Sequence, residues 1–443
     1  MQVVTPPRVE EIFGTATRER LAELFIRDSA GFVRGEYLHW DKLRHKTPPD
    51  DLTLEEWWLL VKQARQPLLR PIPLVDSAGM AFRYAMPDAV LRDLHYVDQH
   101  TSGKIAMPEV VIDDQQSRRR YLVNSLMEEA IRSSQLEGAT TSQTVAKELL
   151  RSGRAPRDRS ERMIANHYRA LNFIREELGD TLSPGLVLEL HRILTEGTLD
   201  DPSAAGRLQT LADDRVAVFD RVDGRLVHRP PPASELPGRL ERLCAFANSG
   251  EDPDDFMHPV IRAILLHFWL AYDHPFEDGN GRTARSLFYW SMRRSTYWLT
   301  EYLSISGILQ KAPSQYGKAF LLTETDDRDT TYFIVHQLGV IRRAIDELLV
   351  QLREKVAEVR EVEMLIRADS FNHRQLALLG DAIRTPGHAY TFTSHATSHN
   401  VTHETARTDL LDLLGRGLLE RSRVGRQYTF RPAPDIAERL RGD

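Results

Sequence analysis

The chain has 443 residues, of which 41% are hydrophobic and 28% charged, with a formal net charge of −6 at pH 7. This length is too great for one hydrophobic core and predicts two to four domains, and the negative balance argues against wholesale coating of nucleic acid. The single cysteine, Cys244, excludes an internal disulfide and is typical of an inert buried thiol in a reducing compartment.

Residues 1–115 predict an N-terminal accessory module that mixes helices with short strands. The start of the chain has no basic segment followed by an apolar run, so we expect no secretory signal. A Trp-rich segment at 52–66 indicates a helix, and the turn residues 76–79 separate two strand-like runs. Nothing in this module indicates chemistry.

From about residue 120 to about 350 the pattern is mostly helical, because apolar residues recur at every third or fourth position. One segment differs, since it alternates from Arg215 to His228 and carries the turn pair Asp223–Gly224, which predicts a β-hairpin. The most apolar helix holds about a dozen residues, too few for a bilayer of ~30 Å. We therefore expect a cytoplasmic protein with no membrane partner.

The last 79 residues, 365–443, predict a separate domain with three helices followed by two strands around Gly425. Thr402 is the expected N-cap of a third helix that continues to Arg421. This order of elements is typical of a winged helix-turn-helix, in which the third helix meets a DNA groove and wing arginines such as Arg423 and Arg426 meet phosphates. Binding to protein, or packing on the helical body, is the alternative.

Three histidines in this domain, at intervals of four, raise the alternative of a zinc site. The break in helical pattern near Asn400 separates the third histidine from the others, so a shared ligand face is not expected. The three residues are His395, His399 and His403.

One dozen residues, from His274 to Arg285, have the composition of a phosphate-transfer site: HPFEDGNGRTAR. Gly279, Asn280 and Gly281 are unfavourable inside a helix and favour a loop that feeds a helix N-terminus, where successive N–H groups bind phosphate.

The charged side chains of the same segment supply the remaining parts of such a site. Arg282 and Arg285 lie three residues apart and reach one anion. Asp278 offers the hard oxygen that Mg²⁺ prefers, and His274 suits a general base with a pKa near the working pH. A bare metal pair of His274 and Asp278 is the alternative, but two ligands are too few and no third is evident.

This segment resembles the signature of the Fic family at every fixed position. The resemblance covers about 120–350, because the hairpin fits the flap that precedes the signature in that family, and Tyr316 to Phe320 resembles a segment that follows it. It implies a Fic-type helical bundle that transfers AMP from ATP to a Tyr, Thr or Ser hydroxyl of a target protein held on the flap.

The resemblance also implies a role for each residue of the signature. His274 is the base, and Phe276 fixes the loop in the core. Asp278 holds Mg²⁺, and Tyr316 lines the adenine pocket. The α-phosphate is held by the backbone amides around Gly279, Asn280 and Gly281 and by the Asn280 side chain. Arg282 holds the β-phosphate, and Arg285 holds the γ-phosphate.

A regulatory segment lies upstream, at the end of a predicted helix that begins near Tyr121. Ser133 and Glu137 are four residues apart and share a face, and Gly138 is at the expected C-cap. The segment resembles the family's inhibitory motif, which implies that Glu137 pairs with Arg285 and misaligns ATP. The same glutamate could also serve removal of AMP.

The sequence therefore predicts a mainly α chain with three parts: accessory module 1–115, Fic domain with inhibitory helix 116–360, and winged helix 365–443. The predicted function is an autoinhibited, Mg²⁺-dependent protein adenylyltransferase, acting on other proteins, on itself or in reverse. The alternative is a DNA-binding regulator whose Fic domain senses nucleotide with little turnover. A homodimer is left open.

Overall fold

The computed structural model describes the chain except for residues 1–2, 16, 28–30, 50, 102–114, 220–223, 225, 251–255, 369–370, 385–387, 425–426 and 442–443. It divides into two compact units, one of residues 1–105 with 124–345 and the other of 106–123 with 346–443. Helices dominate the described residues and three small antiparallel hairpins accompany them, so the predicted mainly helical class is confirmed.

The N-terminal region contributes helices and a first hairpin to the first unit. A capping box between Thr53 and Glu56 begins the Trp-rich helix, which buries Trp57 and Trp58. The elements are α1 (Val9–Thr15), α2 (Arg18–Ile26), α3 (Trp40–Leu43), α4 (Leu54–Arg65), β1 (Arg70–Val75), β2 (Ala81–Tyr84) and α5 (Asp88–Thr101).

The body of the first unit is helical, and side-chain caps begin several of its helices. Asp158 accepts from the Glu161 N–H at 2.8 Å, and Ser183 precedes a proline at the first helical position. The helices are α6 (Gln115–Leu136), of which the first unit contains the part from residue 124 onward, α7 (Gln143–Ser152), α8 (Arg159–Glu176), α9 (Pro184–Thr195), α10 (Leu236–Asn248), α11 (Pro259–Asp273), α12 (Asn280–Arg294), α13 (Ile305–Lys311) and α14 (Pro313–Thr325).

The centre of this unit is α11, which is apolar on every side and buried almost throughout. A helix of that kind needs neighbours on all faces, and α12 and α10 pack against it. The loop between α11 and α12 carries the His274 segment, so two buried helices that pack against each other hold both ends of the predicted site. Within the described residues, no helix combines the length and apolarity that crossing a membrane requires.

The predicted flap forms a short hairpin of β3 (Val218–Phe219) and β4 (Leu226–His228), in which Val218 pairs with His228. Asp223, half of the expected turn pair, lies outside the described residues. Cys244 is buried on α10, and burial raises its pKa to about 12, as expected of an inert thiol.

The helix α15 (Thr331–Ala368) leads into the C-terminal residues. There the elements are α16 (His373–Arg384), α17 (Phe392–His399), α18 (His403–Gly415), β5 (Leu419–Val424), β6 (Gln427–Pro432) and α19 (Ile436–Arg441). Their core includes Leu379, Leu410, Leu413 and Phe430.

Two details of the C-terminal prediction were tested by this arrangement. Thr402 caps α18 and accepts from the Thr405 N–H at 3.2 Å. The expected continuation of this helix to Arg421 is wrong, because Gly417 adopts a left-handed φ of +76° that ends it, and β5 begins at Leu419. Arg426 and Gly425 lie outside the described residues.

Candidate active site

The predicted base ends the central helix. His274 is the C-cap of α11 in a left-handed conformation, with φ +45°, and its N–H donates to the Leu270 carbonyl at 3.0 Å. The side chain is half-buried. Burial lowers its pKa to about 4, below the near-neutral value expected from the sequence. The imidazole is therefore neutral at pH 7 and has a nitrogen available to accept a proton.

Phe276 anchors the loop that follows. Its fully buried ring stacks on His191 of α9, with ring centroids 3.7 Å apart. His191 accepts from the Gly206 N–H at Nδ1 (3.0 Å), so Nε2 carries the proton and donates to the Asp278 carbonyl at 2.9 Å. His191 was not predicted from the sequence, because it lies on another helix, far from the loop along the chain.

Asn280 holds the loop closed, which differs from its expected role. Its Oδ1 accepts from the Phe276 N–H at 2.9 Å, and its Nδ2 donates to the Phe276 carbonyl at 2.8 Å. The side chain is buried, because it bridges the loop across one turn. The expected contact of the Asn280 side chain with an α-phosphate stays a prediction, and in this structure both polar atoms of the side chain bond with Phe276.

The start of α12 presents backbone donors. Gly279 is its N-cap at φ +82°, and the first intrahelical bond runs from the Thr283 N–H to the Gly279 carbonyl at 2.9 Å. The N–H groups of Asn280, Gly281 and Arg282 therefore have no intrahelical acceptor. Such a helix start is a binding site for anions.

Both arginines of α12 are buried at this helix start. Arg282 donates to the Leu194 carbonyl at 3.0 Å and lies 3.5 Å from Asp278 Oδ2. Its Nε has no partner among the described residues, and the same holds for Nη1 of Arg285. Buried donors without acceptors are costly, so the site is complementary to an anion.

Asp278 combines a fixed oxygen with a more accessible one. Its Oδ1 accepts from the Gly279 N–H at 2.6 Å, while Oδ2 lies 3.7 Å from Arg159 and the side chain is 42% exposed. One carboxylate suits Mg²⁺ when phosphates and water supply the other ligands. The described residues contain no cluster of three His, Cys, Asp or Glu side chains that would enclose a metal by themselves.

The predicted regulatory residues contact the second arginine. Arg285 donates to Ser133 Oγ at 2.8 Å and to Glu137 Oε1 at 2.7 Å. Glu137 follows the end of α6, and Gly138 has a left-handed φ of +105°. A Cβ atom on Gly281 would lie 2.1 Å from Glu137 Oε1, so the carboxylate rests directly over the start of α12.

Tyr316, expected beside an adenine ring, lies on α14 and is half-buried. Its phenol bonds with Nε2 of His267 at 2.7 Å, and burial raises its pKa to about 12. His267 lies within α11 and was not predicted from the sequence, because a buried histidine on an apolar helix gives no distinctive pattern.

The predicted flap also contacts the backbone at His274. Arg215 donates to the carbonyls of Asp273 and His274 at 2.6 and 2.7 Å, and His228 bonds with the Tyr272 carbonyl at 2.7 Å. The sequence placed both residues in the hairpin but gave neither a role. No spacing rule could have found them, since their partners are backbone carbonyls.

Part of the chain that holds this site is similar to known proteins. Residues 181–292 match the Fic/DOC family model. The chain is similar to the protein adenylyltransferase Fic of Drosophila grimshawi, with 34% identity over 130 residues, or 29% of this chain and 24% of the relative. It is also similar to the protein adenylyltransferase Fic of Nematostella vectensis, with 32% identity over 121 residues, or 27% and 25%. The chain thus spans about a quarter of the length of these relatives.

A solved structure supports the fold. A Fic family protein from Desulfovibrio desulfuricans superposes with a TM-score of 0.54 and 18% identity, covering 79% of this chain and 98% of that chain. The family match covers α9 to α12 and includes His274, the glycine loop and both arginines. Residues 181–292 are therefore similar to a Fic domain, and the resemblance stated for the His274 segment is supported over this part of the chain.

Proposed function

We propose that this protein is an adenylyltransferase that moves AMP from ATP to a Tyr, Thr or Ser hydroxyl of a target protein. The observation that carries the proposal is the short loop from His274 to Gly279. It joins a neutral imidazole to a helix start with free amides and two buried arginines. The names of the curated relatives support the same reaction.

In the proposed reaction, the target hydroxyl attacks the α-phosphorus and its proton passes to His274. The bond between the α-phosphorus and the bridging oxygen to the β-phosphate breaks, and pyrophosphate leaves. The amides of Asn280 and Gly281 hold the α-phosphate, and Arg282 and Arg285 hold the β- and γ-phosphates. Nearby phosphates favour the protonated imidazole, so substrate binding strengthens a base whose pKa is about 4 in the free protein.

Two further residues have roles in nucleotide binding under this proposal. Asp278 would hold a Mg²⁺ ion, which supplies positive charge that neutralises the phosphates. Tyr316 would border the adenine ring, where its bond to His267 fixes the phenol.

We also propose that Glu137 inhibits the enzyme. Its carboxylate satisfies Arg285 and lies over Gly281, and both positions are needed by the phosphates of a productively bound ATP. A displacement of ~1 Å in a reacting group costs ~10²-fold in rate. Ser133 supports the contact, because it binds the same guanidinium from one turn earlier in the chain.

Labelling with α-³²P-ATP and Mg²⁺ tests both proposals. We expect Glu137→Gly to raise the incorporation of label into the protein itself or into lysate proteins by about 100-fold. Adding His274→Ala in the same chain should return labelling to background, because the proton acceptor is gone.

The matched control is Glu148→Gly, which removes a mostly exposed carboxylate of α7 that does not contact Arg285. It should label no more than the unsubstituted protein. Labelling that survives His274→Ala would contradict the assignment of the base. If none of the variants labels any protein, AMP transfer is the wrong reaction.

A second candidate function is DNA binding by the C-terminal elements. The observation that favours it is the wing, where Arg421 and Arg423 of β5 are exposed and both lie over the ring of Tyr428 on β6. On α18, Arg407 and Thr408 are exposed near a capped N-terminus. Side chains of these types contact phosphates and base edges.

A gel-shift titration with duplex DNA at 50 and 200 mM salt tests this candidate. The double variant Arg421→Ala/Arg423→Ala should weaken binding and reduce the salt slope by about 2, because two phosphate contacts are lost. The control is Arg439→Ala, which removes an arginine that bonds with Asp435 and with the Gly417 carbonyl. Equal binding by the double variant and the control, or no complex at 50 mM salt, would exclude a wing that holds DNA.

A further inference from the structure

The backbone carbonyl groups at the C-terminal end of α11 accept hydrogen bonds from side chains. Carbonyl groups in the last turn of a helix have no intrahelical donors. Here three consecutive carbonyls, of Tyr272, Asp273 and His274, each accept a short bond of 2.6 to 2.7 Å from a side chain. These carbonyls belong to the base and to the two residues before it, so whatever holds them also holds the imidazole.

Both donors come from the flap. Arg215 lies three residues before β3, and His228 is the last residue of β4. Arg215 additionally donates through Nε to the Pro231 carbonyl at 2.9 Å, which fastens the segment that follows β4. The two strands of the hairpin are therefore attached to the same short stretch of backbone, one on each side.

Glu324 of α14 orients the histidine of this pair. His228 Nδ1 lies 2.8 Å from Glu324 Oε2 while Nε2 bonds with the Tyr272 carbonyl. Both partners are acceptors, so two full hydrogen bonds require the protonated ring. Burial lowers the pKa of His228, but the bond and charge of Glu324 outweigh it and raise the pKa above its ordinary value.

We propose that Arg215 and His228 are positioning residues that tie the flap to His274, so that a target segment on the flap and the base that receives its proton are aligned together. This inference rests on the proposed transfer reaction and concerns the target side of the site. A target strand that pairs with the flap contacts β3 or β4. Both sides of the hairpin are in turn bonded to the backbone carbonyls of residues 272–274. The substrate class it implies is an extended protein segment.

The charges of the two residues act on the base in the same direction. Besides burial, which has the largest effect, the positive charges of His228 and Arg215 lower the pKa of His274. Loss of either cation should therefore raise that pKa, whether or not the protein transfers AMP. This gives a measurement that does not depend on the proposed function.

The first test follows the His274 ring by NMR titration, with the signal assigned by its loss in His274→Ala. We expect Arg215→Met and His228→Gln each to raise the pKa of His274 towards 6.5 and to shift its ring signals. The control is Arg169→Met, which removes an arginine that likewise bonds to a helix-end carbonyl, that of Ile193 on α9. Unchanged His274 signals in both flap variants would overturn the proposal.

The second test measures single-turnover labelling in the Glu137→Gly background. Arg215→Met and His228→Gln should slow the transfer step by 10- to 100-fold and leave ATP affinity unchanged, because neither residue faces the phosphates. Equal losses in ATP affinity and rate would indicate general damage to the site and would contradict a positioning role.

Substitutions of Glu324 distinguish positioning from mere folding. In Glu324→Gln the amide can still donate to Nδ1 of a neutral His228, so the transfer rate should stay near that of the parent. Glu324→Ala should slow transfer as His228→Gln does. Identical rates in the two variants would contradict the model. If the Glu137→Gly parent does not label at all, the transfer proposal fails, and the titration still decides whether the flap holds the base.

Discussion

Two glycines of the site are required for different reasons. Gly279 has a φ of +82°, and a Cβ atom there would lie 2.7 Å from Thr195 Cγ2 of α9. Gly281 has an ordinary φ, and a Cβ there would instead meet the carboxylate of Glu137. The first glycine allows the loop to pack on α9, whereas the second leaves space at the helix start for an anion.

Substitution at Gly279 tests the packing reason. We expect Gly279→Ala to lower the free energy of unfolding by about 1–3 kcal/mol, through the strained φ and the clash together. Thr195→Ser removes only the clashing methyl and keeps the hydroxyl bond to the His191 carbonyl. The double variant should therefore recover part of the loss in urea unfolding. No recovery would mean that backbone strain accounts for the whole effect.

The resemblance led to one side-chain contact of the site, that of Glu137 with Arg285, but the partners of most other side chains could not be predicted from the sequence. Asn280 illustrates the limit, because its type and position suit a phosphate ligand while its observed partner is the backbone of Phe276. His191 and Arg215 illustrate a second limit. Both bond to backbone carbonyls, which every residue has, so no sequence motif marks these contacts.

At the scale of elements, α6 is bonded to the rest of the first unit through more than Glu137, the residue that follows it. Glu129, two turns before Glu137 and 2% exposed, accepts from the Ser306 N–H at 3.0 Å and the Ser304 hydroxyl at 3.3 Å. These groups lie at the start of α13, so the carboxylate caps that helix. The contact fixes the helix that carries Ser133 and leads to Glu137.

We predict that Glu129→Gln raises AMP transfer in an otherwise unsubstituted protein, by less than Glu137→Gly does. The amide accepts through one oxygen only and cannot cap α13 as the carboxylate does, so α6 is held less firmly. In the Glu137→Gly background the same change should have no further effect on the labelling rate. An equal increase in both backgrounds would show that Glu129 acts on catalysis and not through the inhibitory contact.

Element type was predicted well where periodicity was long, as in α8 and α11, and poorly where a terminus depended on one residue. The helix from Thr402 was expected to reach Arg421, yet Gly417 ends it and the apolar Leu418 and Leu419 enter the C-terminal core beside β5. Apolar residues at such a junction fit a helix or a strand equally well. Only the pairing of β5 with β6 decides between them.

At the scale of the molecule, the first unit contains buried histidines that folding keeps neutral. His267 on α11 is one, because burial lowers its pKa to about 3. An unfolded histidine has a pKa of about 6.5. As the pH falls below 6.5 the unfolded chain therefore binds a proton that the folded chain does not bind until about pH 3, and stability is lost over that range.

We predict that His267→Gln reduces the dependence of unfolding free energy on pH. Between pH 6.5 and 4 the slope should be smaller by about 1.4 kcal/mol per pH unit, the contribution of one proton. Glutamine can keep a hydrogen bond to the Tyr316 phenol, so the variant should fold at pH 7. Calorimetry of the first unit at several pH values gives the comparison, and parallel slopes for the two proteins would contradict it.

The three-part organisation 1–115, 116–360 and 365–443 stays a prediction. The structure groups residues 1–105 with residues 124–345, which include α11 and α12, in one compact unit. One reason lies in contacts that composition cannot reveal, such as the buried bond of 2.6 Å between Lys62 of α4 and Asp326 at the end of α14. Long-range ion pairs join segments that look independent along the chain.

The carboxylate that rests over Gly281 belongs to the same chain as the helix it meets, so its local concentration does not change when the protein is diluted. Under the proposed inhibition, a nucleotide arriving from solution competes with this tethered carboxylate for the Arg285 guanidinium and for the space over Gly281. The apparent nucleotide affinity then reflects the binding free energy of the nucleotide minus that of the Glu137 carboxylate that it displaces. Anything that lengthens or loosens the tether between α6 and α7 would therefore increase nucleotide occupancy without a change in a single nucleotide contact.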